Sequence, residues 1–145
     1  MALTVFDADV LIAYLYGSNV HHGRAVECMR SADRRLVCTV NYTEVLIGPL
    51  RRSAEQGQRV RDALGSLGFE IIAVDAALAE RAAAVRARTN LKLSDAFALA
   101  TAIHAEKREH DDVVLASFDD RVRSAHDKLR PFTPLDPLAD DQPPT

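Results

Sequence analysis

At 145 residues, with 48% hydrophobic and 27% charged side chains, the chain has the size and composition of one globular domain, and no apolar stretch approaches the roughly 20 residues that span a bilayer. A net charge of −3 argues against a protein that wraps nucleic acid by bulk charge, while leaving room for a local basic rim. Cys28 and Cys38 stand in no CxxC or Cys/His spacing and read as buried thiols rather than as a disulfide or zinc site.

The N-terminus, MALTVFDADV, has no basic region ahead of its apolar run and no small-residue cleavage site, so it reads as the first strand of a cytoplasmic protein rather than a signal peptide. Leu3–Phe6 is that strand, and Asp9 opens a helix over Val10–Tyr16 that ends at Gly17. His21–Ala32 carries Ala25, Val26, Cys28 and Met29 at helical spacing, and Leu36–Val40 is a continuous buried-strand run. Asn41-Tyr-Thr-Glu44 has the pattern of a capping box ahead of a helix over Val45–Arg52, with Pro49 inside it or at its end. Ala54–Leu67 is helical, and Gly68 stops it before the strand Phe69–Val74. Asp75 begins an alanine-rich helix to about Arg88, and Ser94-Asp95 opens an apolar helix over Ala96 to about Lys107. Val113–Ser117 is a strand, and Phe118-Asp-Asp120 begins the last helix.

Strands separated by one or two helices imply parallel pairing with helices on both faces. The expected architecture is a three-layer α/β/α domain with a short, mostly parallel sheet of four or five strands. From Pro131 the proline-rich, acidic sequence leaves room for a short final strand at most. The expected domain is therefore 1–137, with 138–145 a disordered tail.

Asp7, Glu44, Asp95 and Asp119 each stand where a helix begins, and for Asp7, Glu44 and Asp119 a strand ends just before. In an open parallel sheet all strand C-termini share one edge, where ligands bind. Taken singly, each acid is accounted for by helix capping or by the helix dipole. Gathered at one edge they would repel one another unless a cation neutralised them. Oxygen donors without clustered His or Cys favour Mg²⁺ or Mn²⁺ over zinc, and such a site suits phosphodiester hydrolysis.

Asp7 in V-F-D-A-D-V-L-I-A, Glu44 in T-E-V-L-I-G, Asp95 in L-S-D-A-F-A-L-A-T-A and Asp119 in A-S-F-D-D-R resemble the four acidic motifs of PIN-domain ribonucleases. Length and motif order resemble the VapC toxins of bacterial type II toxin–antitoxin pairs, over roughly residues 3–135. The resemblance implies a PIN-like fold in which Asp7, Glu44, Asp95 and Asp119 hold one or two Mg²⁺ or Mn²⁺ ions. It implies water attack on RNA, with tRNA or rRNA as targets, leaving a 5′ phosphate and a 3′ hydroxyl and so inhibiting translation. It also implies a homodimer without membrane association and a VapB-type antitoxin whose basic side chain enters the acidic site.

Two features depart from the family pattern. Asp9 stands where many relatives have Ser or Asn, and Asp120 directly follows Asp119. Asp9 reads first as an N-cap and second as a residue acting from just outside the metal ligands, as Asp120 could also do. Ser117 either orients a carboxylate or bound water, or caps the last helix in a box with Asp120. Arg51, Arg52, Arg86, Arg88 and Lys92 flank the motifs as candidates for the RNA backbone, although each alone also reads as a solvated helix face. The five histidines read as surface or packing residues. Leu11, Tyr14, Leu15, Val45, Leu46 and Leu50 read first as core and, by the resemblance, as a groove for the antitoxin; the helix Ala96–Ile103 is the candidate dimer surface.

Two rival functions use part of this pattern. In a haloacid-dehalogenase-type phosphatase Asp7 would be the nucleophile and Asp9 its acid–base partner, with Asp119-Asp120 binding Mg²⁺. Val10-Leu-Ile-Ala13 then enters a helix where that family carries flexible residues, and Glu44 and Asp95 lose their explanation. A receiver-like signalling module needs a Lys after a late strand, and Phe118-Asp-Asp120 supplies none.

Overall fold

A computed structural model describes residues 3–109 and 113–130. In chain order the elements are β1 (Leu3–Phe6), α1 (Ala8–Leu15), α2 (His22–Ser31), β2 (Arg34–Cys38), α3 (Thr39–Arg52), α4 (Ala54–Ser66), β3 (Phe69–Ile72), α5 (Ala76–Arg88), α6 (Leu93–Glu109), β4 (Val114–Ala116) and α7 (Asp120–Leu129). The four strands form one sheet in the order β3-β2-β1-β4, every pair parallel. The expected short strand after Pro131, the tail from residue 138 and His110 lie outside the described residues. Among the described residues no helix is long and apolar enough to cross a membrane.

The pleat of β1 divides the interior into two cores. Leu3 and Val5 join Leu36 and Leu115 in packing against α5, α6 and α7, whereas Phe6 joins Val37 and Ala116 in packing against α1, α2, α3 and α4. Every residue of β1 is buried, which is why its sequence is a continuous run rather than an alternation. The three-layer α/β/α expectation holds. β1, β2 and β3 extend the sheet in one direction, and the α5–α6 crossover returns the chain to the other side of β1, where β4 pairs. The order of connection therefore reverses between β1 and β4, and a crevice forms outside the carboxyl ends of those two strands.

Several boundaries differ from the sequence reading. α3 begins at Thr39, directly after β2, so Asn41 and Glu44 form no capping box and lie within the helix, one turn apart. Cys38 takes the cap position without a side-chain bond to the helix N–H groups, and the Thr39 hydroxyl accepts from the Val74 N–H at 3.2 Å. Val40, expected in the strand, is helical because β2 pairs no further than Cys38, opposite Ile72. Pro49 sits inside α3, which continues to Arg52, and the Ser53 N–H closes the last turn on the Pro49 carbonyl at 3.1 Å. Ser53 then caps α4, its hydroxyl accepting from Gln56.

α6 is the central element of its layer. Ala96, Ala98, Leu99, Ala100, Ala102 and Ile103 are all buried inside this one chain, so the apolar run proposed as a dimer surface is spent on the core. Alanine along most of its length lets neighbouring helices and the sheet approach closely. At its far end Glu106 binds the buried His126 ring at 2.8 Å and the Arg130 guanidinium at 2.6 Å, fastening α7 to α6. That accounts for one histidine as packing, and His22 likewise bonds the Ala13 carbonyl at 2.8 Å.

Gly68 joins α4 to β3 with φ of +74°, a conformation that strains any residue with a Cβ. Gly68→Ala is expected to lower stability by about 1 kcal/mol in urea unfolding. Gly65→Ala, in the last turn of α4 with open space around its Cα, is expected to be neutral or stabilising.

Candidate active site

Asp7 leaves the end of β1 and is the N-cap of α1. Its backbone is extended (φ −73°, ψ 154°), and one carboxylate oxygen accepts from the Ala8 N–H at 2.8 Å. The other oxygen accepts from the Ser117 hydroxyl at 3.1 Å, and its own N–H continues the sheet to the Ala116 carbonyl at 2.9 Å. Asp7 is therefore gripped from β4 as well as from α1, and only 3% of its surface is exposed.

The preference for Asp9 as the cap is corrected. Asp9 is already inside the first turn, because the helix starts at Ala8 and the residue before it carries the extended backbone that a cap requires. Asp9 instead reaches across the crevice, one oxygen accepting from the Phe118 N–H at 3.2 Å. Its other oxygen, Oδ1, is buried without a hydrogen-bond partner.

Ser117 does not cap α7 with Asp120; that cap is Asp119, whose Oδ1 accepts from the Arg121 N–H at 2.9 Å. The Ser117 hydroxyl donates to Asp7 and accepts from the Asp119 N–H at 3.2 Å, so a single buried oxygen ties the two motifs together. Asp120 projects outward, and its exposed carboxylate pairs with Arg123.

Asp95 lies in the first turn of α6, buried, where its charge acts on both Asp7 and Asp9. Glu44, half-buried on α3, is held by Asn41: the Asn41 amide donates to the Glu44 carboxylate at 3.1 Å and to the Ser94 carbonyl at 3.1 Å. The Asn41 side-chain carbonyl accepts from the Cys38 thiol at 3.1 Å. Asn41 is fully buried and joins Glu44 to the start of α6, one residue before Asp95. Its role escaped the sequence reading, which took it for a helix cap; the i,i+3 spacing of Asn41 and Glu44 was the available signal.

The electrostatics set these acids apart. Burial, followed by the neighbouring charges of Asp9 and Asp95, pushes the Asp7 carboxyl up to about 8. The Ala8 N–H and Ser117 hydroxyl only partly oppose that shift. Asp9 is raised for the same first reason, burial, with Phe118 and Val10 N–H groups opposing. Asp119 moves the other way, held below the usual carboxylate range by hydrogen bonds from Arg121, whose guanidinium grips both of its oxygens at 3.2 and 2.8 Å.

Among the described residues no three His, Cys, Asp or Glu side chains are gathered as a finished metal cage. The donor chemistry nonetheless fits a hard cation. Asp7 and Asp95 are buried beside the half-buried Asp9, all are oxygen donors of like charge, and Asp9 keeps one buried oxygen unpartnered.

Of the basic candidates, Lys92 is exposed just before α6, and its charge reaches Asp9 and Asp119. Arg86 and Arg88 end α5, bonded to the Thr89 and Ala84 carbonyls at 3.3 Å each. Arg51 and Arg52 sit at the opposite end of α3 from Asn41; Arg52 lies over the Tyr16 ring, 5.4 Å from its centroid, about 12 Å along the helix from Glu44. Arg121 was not among the expected residues, although it follows Asp119 by two.

A parallel sheet with carboxylates beside the reversal of strand order defines an α/β domain of the PIN-like class. The family model of the PIN domain matches residues 4–128, and the chain belongs to that family, whose members are generally nucleases. Among solved structures, a toxin–antitoxin complex from Klebsiella pneumoniae is 29% identical with a TM-score of 0.60, the match covering 82% of this chain and 87% of that one. VapC20 of Mycobacterium tuberculosis, a sarcin–ricin-loop-cleaving toxin, is 17% identical with a TM-score of 0.66, covering 84% of this chain and 94% of that one. FitAcB from Neisseria gonorrhoeae is 17% identical with a TM-score of 0.63, covering 86% of this chain and 94% of that one. No curated protein sequence gives a significant match.

Two predictions come from this geometry. Burial favours the protonated Asp7, so without a cation this group costs the folded protein stability as pH rises from its ordinary 3.8 through about 8. Asp7→Asn removes that loss. In calorimetry with a chelator, its thermal midpoint relative to wild type should therefore rise across that interval and level off above it; a margin that shrinks with pH would contradict the arrangement. Asn41→Ala strands buried partners on α3 and α6 and is expected to cost about 2 kcal/mol in urea unfolding. Thr43→Ala, on the exposed side of the same helix, should change stability by less than about 0.5 kcal/mol.

Proposed function

We propose that this protein is the toxin of a toxin–antitoxin pair, an endoribonuclease dependent on Mg²⁺ or Mn²⁺, with Asp7, Glu44, Asp95 and Asp119 as its metal-holding catalytic carboxylates. The observation that carries the reading is Asp7, its carboxyl pushed up by burial and then by Asp9 and Asp95, at the strand-order reversal of a PIN domain. A carboxylate so placed is a poor structural residue and a good partner for a cation.

The chain's own groups would divide the work. Ser117 fixes the Asp7 carboxylate toward β4, and Asn41 fixes Glu44 toward α6. Arg121 keeps Asp119 ionised and aimed. Asp9, with one oxygen bonded to Phe118 and the other unpartnered, acts from just outside the ligand set. When bound, the cation supplies Lewis acidity toward the phosphodiester and acidifies water for in-line attack. None of these roles requires a protein nucleophile. The substrate is RNA in a translation-related molecule, tRNA or rRNA, so cleavage inhibits protein synthesis in the cytoplasm.

The relative solved as a toxin–antitoxin complex supports an antitoxin partner, which in this reading is of the VapB type. Its docking surface is the face of α1 and α3 on which Leu50 and Ile47 are exposed beside the half-buried Tyr14, Leu15 and Leu46. Leu11 and Val45, the other apolar candidates for that groove, are fully buried and belong to the core. A homodimer remains part of the proposal, with its surface elsewhere than the buried face of α6.

The test incubates the purified protein with total RNA and, separately, with a phosphomonoester, in Mn²⁺ or in EDTA. Cleavage of RNA with Mn²⁺ alone is expected, reduced at least about a hundredfold in Asp7→Asn and in Asp95→Asn. Hydrolysis of the monoester with RNA left intact would overturn the reading in favour of a phosphatase.

A further inference from the structure

A cleft of about 400 Å³ opens between the α5–α6 turn and the outer face of α7. Arg121, Ser124, Ala125 and Lys128 line one side of it, spaced so that a single face of α7 is presented. The opposite wall is Arg88 and the turn through Asn90. Among the described lining residues Arg88, Arg121 and Lys128 are basic and Asp120 is the one carboxylate, in a chain whose net charge is negative; Asp120 is paired with Arg123, and Arg121 with Asp119.

Its inner end meets the acidic site. Arg121 both lines the cleft and grips Asp119, and Lys92, next in sequence to the lining residue Leu91, exerts its charge on Asp9 and Asp119. Basic side chains, Lys128, Arg88 and Arg121, therefore line the cleft up to Asp119, which Arg121 contacts. Among the described residues no aromatic ring lines the cleft. A strand held there would be gripped by its phosphates, without the base stacking that aromatic platforms provide.

We propose that this cleft is the track that holds the RNA backbone on one side of the cut, with Arg88, Arg121 and Lys128 contacting successive phosphates without reading sequence. The inference rests on the nuclease function proposed above and adds the route by which the strand enters. It separates the two arginines at the end of α3 from the substrate path and assigns that role to α7 and the α5–α6 turn. An acidic protein segment is disfavoured as occupant, because the nuclease reading requires a strand that continues past the carboxylates and this cationic surface adjoins them.

The test uses the full chain carrying Asp7→Asn, so that bound RNA stays intact, and a fluorescein-labelled single-stranded RNA of mixed sequence, with anisotropy followed over a range of salt in the presence of Mg²⁺. Adding Arg88→Gln and Lys128→Gln should weaken binding about tenfold near physiological salt and reduce the magnitude of the log–log salt slope by about 1.4, roughly 0.7 for each phosphate that is no longer neutralised. The same weakening is expected for oligonucleotides of different sequence. Arg59→Gln with Arg61→Gln, on the exposed face of α4, makes the same change of charge away from the cleft and should leave both quantities unaltered. Equal effects of the two double variants, or a weakening confined to one RNA sequence, would overturn the cleft assignment while leaving the nuclease reading intact. A wild-type protein that neither cleaves nor binds RNA would remove the nuclease reading itself, and the cleft with it. Thermal midpoints within a few degrees of the Asp7→Asn parent would show that each variant is folded.

Discussion

Mutual repulsion among buried carboxylates governs the arrangement of this domain. Asp7 lies at the end of the most buried strand and feels both Asp9 and Asp95, and desolvation alone would already favour its neutral form. The surrounding structure works to keep it in place rather than to relieve it. A backbone N–H from α1 and a hydroxyl from the loop after β4 hold its two oxygens. The two cores on either side of the sheet supply the rigidity. Phe6, immediately before Asp7, packs into one core, and Leu115 and Val5 pack into the other. Displacing the carboxylate would mean unpacking one of them.

The same constraint explains why short polar side chains at the site matter more than their number suggests. Ser117 and Asn41 are each buried and each spend their hydrogen-bonding capacity between two elements. Ser117 couples the end of β1 to the start of α7, and Asn41 couples α3 to α6. Between them they join the acidic motifs in two pairs, Asp7 with Asp119 and Glu44 with the turn that carries Asp95. A local region that concentrates like charge is intrinsically destabilising, and its cost is offset by packing elsewhere. α6 contributes much of that packing: its alanines are buried along nearly the whole helix, and its first turn delivers Asp95.

Much of this was legible in the sequence because β-strands buried on both faces and helices with apolar stripes leave distinct periods. The order of elements, the parallel sheet and the edge at which Asp7, Asp95 and Asp119 appear all follow from such patterns. What was misread lies within a residue or two of each helix start. The cap of α1 is Asp7 rather than Asp9, and Asn41 and Glu44 looked like a capping box although they are helical. Capping motifs are short, and several polar residues in a row satisfy them equally well. The choice is made by where the strand stops, and strand length is set by pairing with β1 and β3, which no local window contains. The burial of α6 was hidden for a related reason: an alanine-rich helix reads the same whether its open face meets another chain or its own sheet.

Asp119 and Asp7 show how one site can hold acids in opposite states. Asp119 caps a helix near the surface, and a guanidinium two residues away bonds both of its oxygens, so it stays ionised without help from a metal ion. Asp7 has no such cation in hydrogen-bond contact; its partners are neutral donors, and its charged neighbours are of the same sign. Under the nuclease reading this difference orders the assembly of the site. The half-exposed Asp119 and its arginine lie at the rim, while the interior Asp7, favoured in its neutral form by burial and like charges, would give up its proton when it holds a divalent ion. Arg88, Arg121 and Lys128, on α7 and beside the α5–α6 turn, stand where a polyanion would approach that anionic pocket.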